Sequence, residues 1–560
     1  MEAVVRRGVA LALLVVLVLP ALALGEGQKE GKETEDEAIT KATNAGISIM
    51  LLGSVAFMMG LFYLVNHPDA DMVKYSWQVI SSTISIFSAV LLFQAVNGLV
   101  EAAFLEGASE GVELAVSIVH FLLWFCLLQY ALAYFSGALE KGEQEMGKEA
   151  EETAELQLKS YAILLGHITG FAAINAFGVF QQQVPKTVGC TLMVAPLAWV
   201  VVFILSQVMD HVRDAVARGD DGKIDKSEEL WDEVTEETED DVIGLAVSFL
   251  VVQTLRLLVG GTLPNAEGEE SEEGSSSHSD WQVLMLVICG TSFVLVEIVR
   301  MSYVKFEFPR LTPQMRNIVM MSFSWCIYFA TDWWLSYNIF TQNHGMTKEV
   351  VVALTVTAIA MTEIFLLDKF ADLPVTGSHV DAIIRAVVRA LGILIGFSWE
   401  KSFDTAVVEV SGFVKVLPDH LVKLILAGLL VLLVVPAWRL YILPTIIMYE
   451  KAEEEEEKQE EEEKEKEEKE EKERESEEGV SPLNQPLLQS ESSTNSRRLK
   501  KKSMKMMSPA ESLALQSKCE RYEEHITSLE ERNKGLEDSL QEFVHELSEL
   551  QQMADILKKA

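Results

Sequence analysis

KSYAILLGHITGFAAIN, residues Lys159 to Asn175, and RAVVRALGILIGFSWE, residues Arg385 to Glu400, share one skeleton. Each begins on a cation, reaches a Gly, a second Gly four positions on and then a Phe, and ends on a polar residue: Lys159, Gly166, Gly170, Phe171 and Asn175 in one, Arg385, Gly392, Gly396, Phe397 and Glu400 in the other. Both are apolar enough and long enough to cross a bilayer. The two glycines form a small-xxx-small face of the kind that lets another helix approach closely. A repeated membrane helix is therefore the unit from which the fold is read.

Three more segments keep part of the pattern. Arg316 to Asp332 has the basic start, Phe329 and the terminal acid, with Phe323 in place of the first Gly; Asp240 to Arg256 keeps the distance with the charges inverted. Ser81 to Asn97 has Phe93 placed before Asn97 as Phe171 is before Asn175. Repetition at a regular interval marks an array of like units, although Gly, Phe and flanking cations are also common in unrelated membrane helices.

The rest of the chain agrees with a polytopic all-α membrane protein. Of 560 residues 49% are hydrophobic, yet the formal charge is −38, because apolar blocks alternate with densely acidic ones. That balance excludes nucleic-acid binding, which needs cations clustered over a broad face. The five cysteines show neither a disulfide framework nor metal spacing.

Residues 1–25, with Arg6 and Arg7 before an apolar run ending at Pro20, read as a signal peptide, against the alternative of an uncleaved first span. Residues 26–46 form an acidic luminal spacer. Residues 47–448 hold about eleven spans in hairpin repeats, at 47–66, 75–100, 112–137, 160–181, 188–209, 242–263, 281–303, 315–340, 349–368, 382–400 and 422–448. A cleaved signal puts the N-terminus in the lumen and an odd span count puts the C-terminus in the cytosol, within a membrane of the secretory pathway. Loop cations agree: Lys141, Lys148, Arg213, Arg218, Lys223, Arg300, Lys305 and Arg310 fall on the cytosolic side, few on the luminal side. Residues 401–421 read three ways, as a luminal amphipathic segment, a re-entrant piece or a continuation of the tenth helix.

Two cytosolic stretches carry weak ligand signals. In ARGDDGKIDKSEELWDEV, Asp221, Asp225 and Glu228 fall at ligand positions of an EF-hand, but Ala217 and Gly219 stand where the first oxygen ligands belong, so Ca²⁺ is the one cofactor considered and a solvated acidic loop is the competing reading. Residues 449–478 are a Glu/Lys run, readable as an exposed helix supported by i,i+4 pairs or as a disordered segment. Residues 479–510 are a linker with a basic patch from Arg497 to Lys505.

Residues 511–560 hold an unbroken heptad register. Leu529, Leu536, Leu540 and Leu547 lie on the seam with Asn533 at an a position, which points to a coiled coil and a homodimer.

No Ser/His/Asp order, metal cluster or phosphate-cradling Gly loop stands out, so no catalytic centre is expected. Intramembrane polarity does stand out: Gln129, Gln207, Glu297 and Glu363 on odd spans, Asn97, Asn175, Arg256, Asp332 and Glu400 on even ones. Charges in hydrocarbon cost at least about 2.5 kcal/mol each and usually face a cavity, a partner or an ion path. Arg256 is expected to pair with Asp332 or Glu363. The residues favour a channel or secondary transporter of an unspecified small ion or solute, with the lipid bilayer as surroundings; a non-transporting scaffold that presents the coiled coil is the alternative.

A peptide spanning Pro509 to Ala560 is expected to sediment as a dimer at tens of micromolar, roughly the range for a six-heptad coil, and Asn533→Ile to melt higher while mixing oligomer states. A monomer under those conditions rejects the heptad reading.

Overall fold

The computed structural model describes residues 53–452, apart from 54, 56, 140–147, 218–224, 271–277, 304–309, 341–344, 372–377 and 415. The signal peptide, the whole spacer, the basic patch and the heptad residues Leu529, Asn533, Leu536, Leu540 and Leu547 lie outside the described residues.

The described elements are helices: α1 Ala70–Phe104, α2 Glu110–Phe135, α3 Lys148–Gln183, α4 Val188–Ala217, α5 Lys226–Gly260, α6 Asp280–Tyr303, α7 Leu311–Asn338, α8 Met346–Ala371, α9 Ser378–Phe413 and α10 Asp419–Ala437. Helical residues 57–65 precede α1, and a π-helical turn, Trp438–Ile442, follows α10. Pro436, just before that turn, removes one ladder donor. Beyond it Trp438 is fully buried and its indole N–H donates to Ser81 Oγ on α1 at 2.8 Å.

Pairwise packing closes the odd-numbered helices on themselves. α1 packs on α3, α3 on α5, α5 on α7, α7 on α9, and α9 returns to α1. These five inner helices are parallel, as Gly166 beside Thr238 and Gly170 beside Leu245 show for α3 and α5. The outer helices follow the same rule: α2 packs on α3, α4 on α5, α6 on α7 and α8 on α9, each on the helix that follows it in the chain, and α10 packs on α1. The five segments that share the sequence pattern are the five inner helices, one segment in each.

Burial separates the layers. In its most apolar window α5 is 78% buried against 17% for α6. The outer helices turn large apolar side chains outward, among them Leu123, Met193, Leu295, Leu366 and Leu432. A belt of that size on a soluble protein would be an association site; on this one it matches the acyl chains of a bilayer.

Eight described helices are long and apolar enough to cross a membrane, fewer than the eleven spans read from the sequence. α7 and α9 are not among them. Both are inner helices packed on neighbouring helices, so Ser322, Ser324 and Trp325 in α7 and Glu400 in α9 are buried in protein and need not meet lipid. The first expected span, 47–66, is described only in part. Of 401–421, residues 401–413 continue α9 as one of the three readings has it, and α10 begins at Asp419.

Glycines set how closely the inner helices approach. A Cβ on Gly396 would lie 2.9 Å from Ile86 Cδ1, 3.1 Å from the Ser82 carbonyl oxygen and 3.2 Å from Thr83 Cα. On Gly392, one turn earlier, the nearest atom would be 3.7 Å away. Overpacking against backbone costs typically about 1 to 3 kcal/mol, so Gly396→Ala is expected to lower the melting temperature of the purified protein in detergent while Gly392→Ala leaves it unchanged. Equal effects from the two would mean that α9 and α1 are not in this register.

Candidate functional site

The axis of the inner ring is filled by aromatic rings. Phe171 of α3 and Phe397 of α9, the two Phe residues of the shared skeleton, belong to helices that are not ring neighbours, yet they stack with centroids 6.3 Å apart. Trp325 and Tyr328 of α7 pack on Phe397 at 4.3 and 5.0 Å, and Phe249 of α5 packs on Trp325 at 5.2 Å. This layer separates two polar clusters, one near the N-terminal ends of the inner helices and one near their C-terminal ends.

The N-terminal cluster centres on Glu239, fully buried at the start of the apolar part of α5. Its carboxylate accepts from Arg213 of α4 at 3.1 Å, from Arg310 ahead of α7 at 2.6 Å and from Gln129 of α2 at 2.7 Å. Asp210 bridges both arginines, and Asp232 and Glu236 add a further contact each, at 2.7 Å to Arg213 and 3.0 Å to Arg310. Beside it Gln314 donates to Asp240 at 2.7 Å and Asn317 to Asp241 at 3.2 Å. Of these residues only Gln129 stood among the sequence candidates. Most of the others stand in the acidic run of α5 or beside loops, where sequence alone reads them as solvated.

The C-terminal cluster gathers the polar residues that close the five repeated segments. Asn175 donates to Asn97 at 3.4 Å, and Asn97 to Glu101 at 2.8 Å. Arg256, Asp332 and Glu400 all lie within electrostatic reach of the Tyr328 hydroxyl.

Arg256 takes neither expected partner. Its guanidinium donates to Glu270 at 2.7 Å, to the Gly268 carbonyl at 2.7 Å and to Gln253 at 3.0 Å, with its face 3.7 Å from the centroid of Phe329. Glu270 belongs to the loop after α5, which folds back over the helix end. Gly268 makes the return possible: its φ is +86°, and a Cβ there would lie 2.9 Å from Phe249. The same carboxylate accepts from the Trp333 indole at 3.0 Å and meets His278 Nε2 at 2.6 Å, with the His278 ring stacked on Trp333 at 3.8 Å. Burial opposes the charge on Glu270, but the His278 hydrogen bond and the Arg256 charge outweigh it and hold the carboxyl down at about 2.

Asp332 pairs instead with Lys348 of α8, at 2.9 Å. Glu363 stands half-buried on α8, apart from Arg256. Glu297 pairs with Arg300 one turn on, at 2.6 Å. Glu400 is 2% exposed, and neither carboxylate oxygen has a hydrogen-bond partner among the described residues.

For a metal the residues offer little. Asp225 and Glu228 form the capping box that starts α5, Glu228 accepting from the Asp225 N–H at 2.9 Å, and Asp221 lies outside the described residues. Asp69, Asp71 and Asp368 bring carboxylate oxygens within 4.8 Å of one another, but Lys369 already sits 3.1 Å from Asp69 and 3.2 Å from Asp368.

Removing one partner of a buried pair costs about 3 to 5 kcal/mol because the other charge is stranded. Arg256→Gln is therefore expected to cut the yield of folded protein, and adding Glu270→Gln to restore part of it, whereas adding Asp332→Asn restores none. Because the folded value of Glu270 is depressed from 4.5, its contribution is complete above pH 4.5 and is lost as pH falls towards about 2. Rescue by Asp332→Asn in size-exclusion profiles of the double variant would reject the Glu270 assignment.

Comparison of the chain with protein families, curated proteins and solved structures finds no match.

Proposed function

We propose that the protein is a multi-pass channel or secondary transporter for a small ion or solute, with the inner ring as its translocation path. The observation that carries this reading is the ring itself. Five parallel helices close around one axis, and each ends its repeated segment on a polar residue, Asn97, Asn175, Arg256, Asp332 or Glu400, at matching positions. A purely structural bundle has no need of polar groups at that depth on every central helix, since each costs free energy in a low-dielectric interior. The aromatic layer of Phe171, Trp325 and Phe397 then corresponds to a closed gate.

The same layer supports the second reading, a scaffold whose axis is simply packed shut. In that case the membrane region anchors a cytosolic coiled coil, and the polar groups serve only helix association. Both readings share eleven spans, a luminal N-terminus, a cytosolic C-terminus and dimerisation through residues 511–560.

Two measurements separate and test them. The chain contains no Asn-x-Ser/Thr sequon, so acceptors can be introduced singly: one near Ser276 is expected to be glycosylated and one near Gly219 not. In liposomes the wild-type chain is expected to carry a dissipable ion flux, and Phe397→Ala to raise it about tenfold, the change that follows from some 1.4 kcal/mol off the barrier. Tight vesicles with both chains would leave the scaffold.

A further inference from the structure

We infer that Glu400 is a reversible proton-binding site at the C-terminal end of the inner ring. Four of the five ring-end polar residues have found a neighbour: Asn97 and Asn175 meet each other, and Asp332 has Lys348. Arg256 has Glu270 from the loop. Glu400 has none, with both oxygens buried and without a hydrogen bond among the described residues.

The adjacent cation acts on it by charge but gives it no hydrogen bond. Lys401 turns to Glu269 of the loop after α5, at 3.1 Å. The other titratable groups that face Glu400 are Asp404 on its own helix, Glu267 of the same loop, Glu349 on α8 and Tyr328 on α7. Further out, Glu101 of α1 acts on Glu267, and Lys423 of α10 acts on Asp404. Asp404, Glu267 and Glu349 are carboxylic groups that disfavour a further negative charge beside them. A buried carboxylate that lacks a partner neutralises by taking a proton rather than remaining charged.

A metal cation is a poorer occupant. Calcium asks for about six to eight oxygen ligands. The hydroxyls next to Glu400 are already committed to their own helix, Ser398 donating to the Ile395 carbonyl at 2.8 Å and Ser402 to the Ser398 carbonyl at 3.3 Å. A proton needs only the carboxyl group itself. As a proton site Glu400 stands on this geometry alone; as the site of the coupling ion in a transport cycle it rests on the function proposed above.

The test uses the full chain in lipid nanodiscs and dicyclohexylcarbodiimide as probe. A protonated carboxyl in an apolar setting gives its proton to a carbodiimide nitrogen while its oxygen adds to the central carbon, and the O-acylisourea rearranges to a stable N-acylurea with no atom lost. Mass spectrometry of the peptide carrying Glu400 is expected to find the adduct at neutral pH, where the loop carboxylate Glu269 is unmodified. The labelling rate is expected to fall about tenfold per pH unit on the alkaline side of the titration, as the protonated fraction does. Glu400→Asp keeps that pH dependence, and Glu400→Gln abolishes the adduct; the wild-type profile suffices if either variant fails to fold. A Glu400 that is unmodified at neutral pH, or modified at a rate independent of pH, overturns the inference. Protection by Na⁺, K⁺ or Ca²⁺ against choline at constant pH and ionic strength overturns it in favour of a metal cation. Vesicles without flux but with pH-dependent labelling reject the transport reading and leave the proton site; flux with an unreactive Glu400 does the reverse.

Discussion

Close approach between inner helices is the constraint on which the rest of the structure depends. In lipid, apolar side chains gain little by leaving acyl chains for one another, so helices associate through dispersion and fit. The ring achieves that fit with glycine at successive contacts. A Cβ on Gly166 would meet Thr238 at 2.7 Å, one on Gly170 would meet Leu245 at 2.8 Å, one on Gly244 would meet Asn317 at 3.1 Å, and one on Gly396 would meet Ile86 at 2.9 Å. Each of these contacts joins an inner helix to the next one round the ring, α3 to α5, α5 to α7 and α9 to α1. Glycine thus sets the approach at three of the five contacts round the ring.

Closure in turn decides where polarity is tolerated. Once five helices surround an axis, a polar side chain on an inner face meets protein instead of hydrocarbon, and its cost is that of finding a partner. The N-terminal cluster solves this with a dense network, in which Arg213 and Arg310 share Glu239 and Asp210. The C-terminal cluster draws partners from outside the ring: Glu270 from a loop and Lys348 from an outer helix. The aromatic layer keeps the two apart.

Much of this was legible in the sequence. The skeleton shared by Lys159 to Asn175 and Arg385 to Glu400, with its three looser relatives, marks the inner helices, because the two full copies record a Gly packing face and all five end on a polar group. The pair Phe171 and Phe397 marks the axis for the same reason. The partner of Arg256 was not legible. Helix periodicity ranks Asp332 and Glu363 by depth, but Glu270 reaches Arg256 only because Gly268 turns the loop back, and nothing in an acidic run such as Glu269, Glu270 and Glu272 says which carboxylate is caught. Arg213 and Arg310 read only as loop cations, and Glu239, inside α5, stands in an acidic run that reads as solvated charge. The polar character of α7 takes it out of the helices apolar enough to cross a membrane although the sequence reads it as a span, since an inner helix need not be apolar to be buried.

The five ring-end positions are equivalent in the backbone and unlike in chemistry: two amides, one guanidinium and two carboxylates. Were packing all that selected them, small or apolar residues would fill the positions at lower cost, since buried ion pairs are seldom more stable than the hydrophobic groups that could replace them. The cost is met differently at each place. The amides satisfy one another, Arg256 captures a loop, and Asp332 binds an outer helix. Each solution ties the ring to a different neighbour, so any movement of that end must break or exchange an identifiable contact. Among the described residues Glu400 has no hydrogen bond to exchange, and protonation is a change of state open to it that requires no rearrangement of its neighbours.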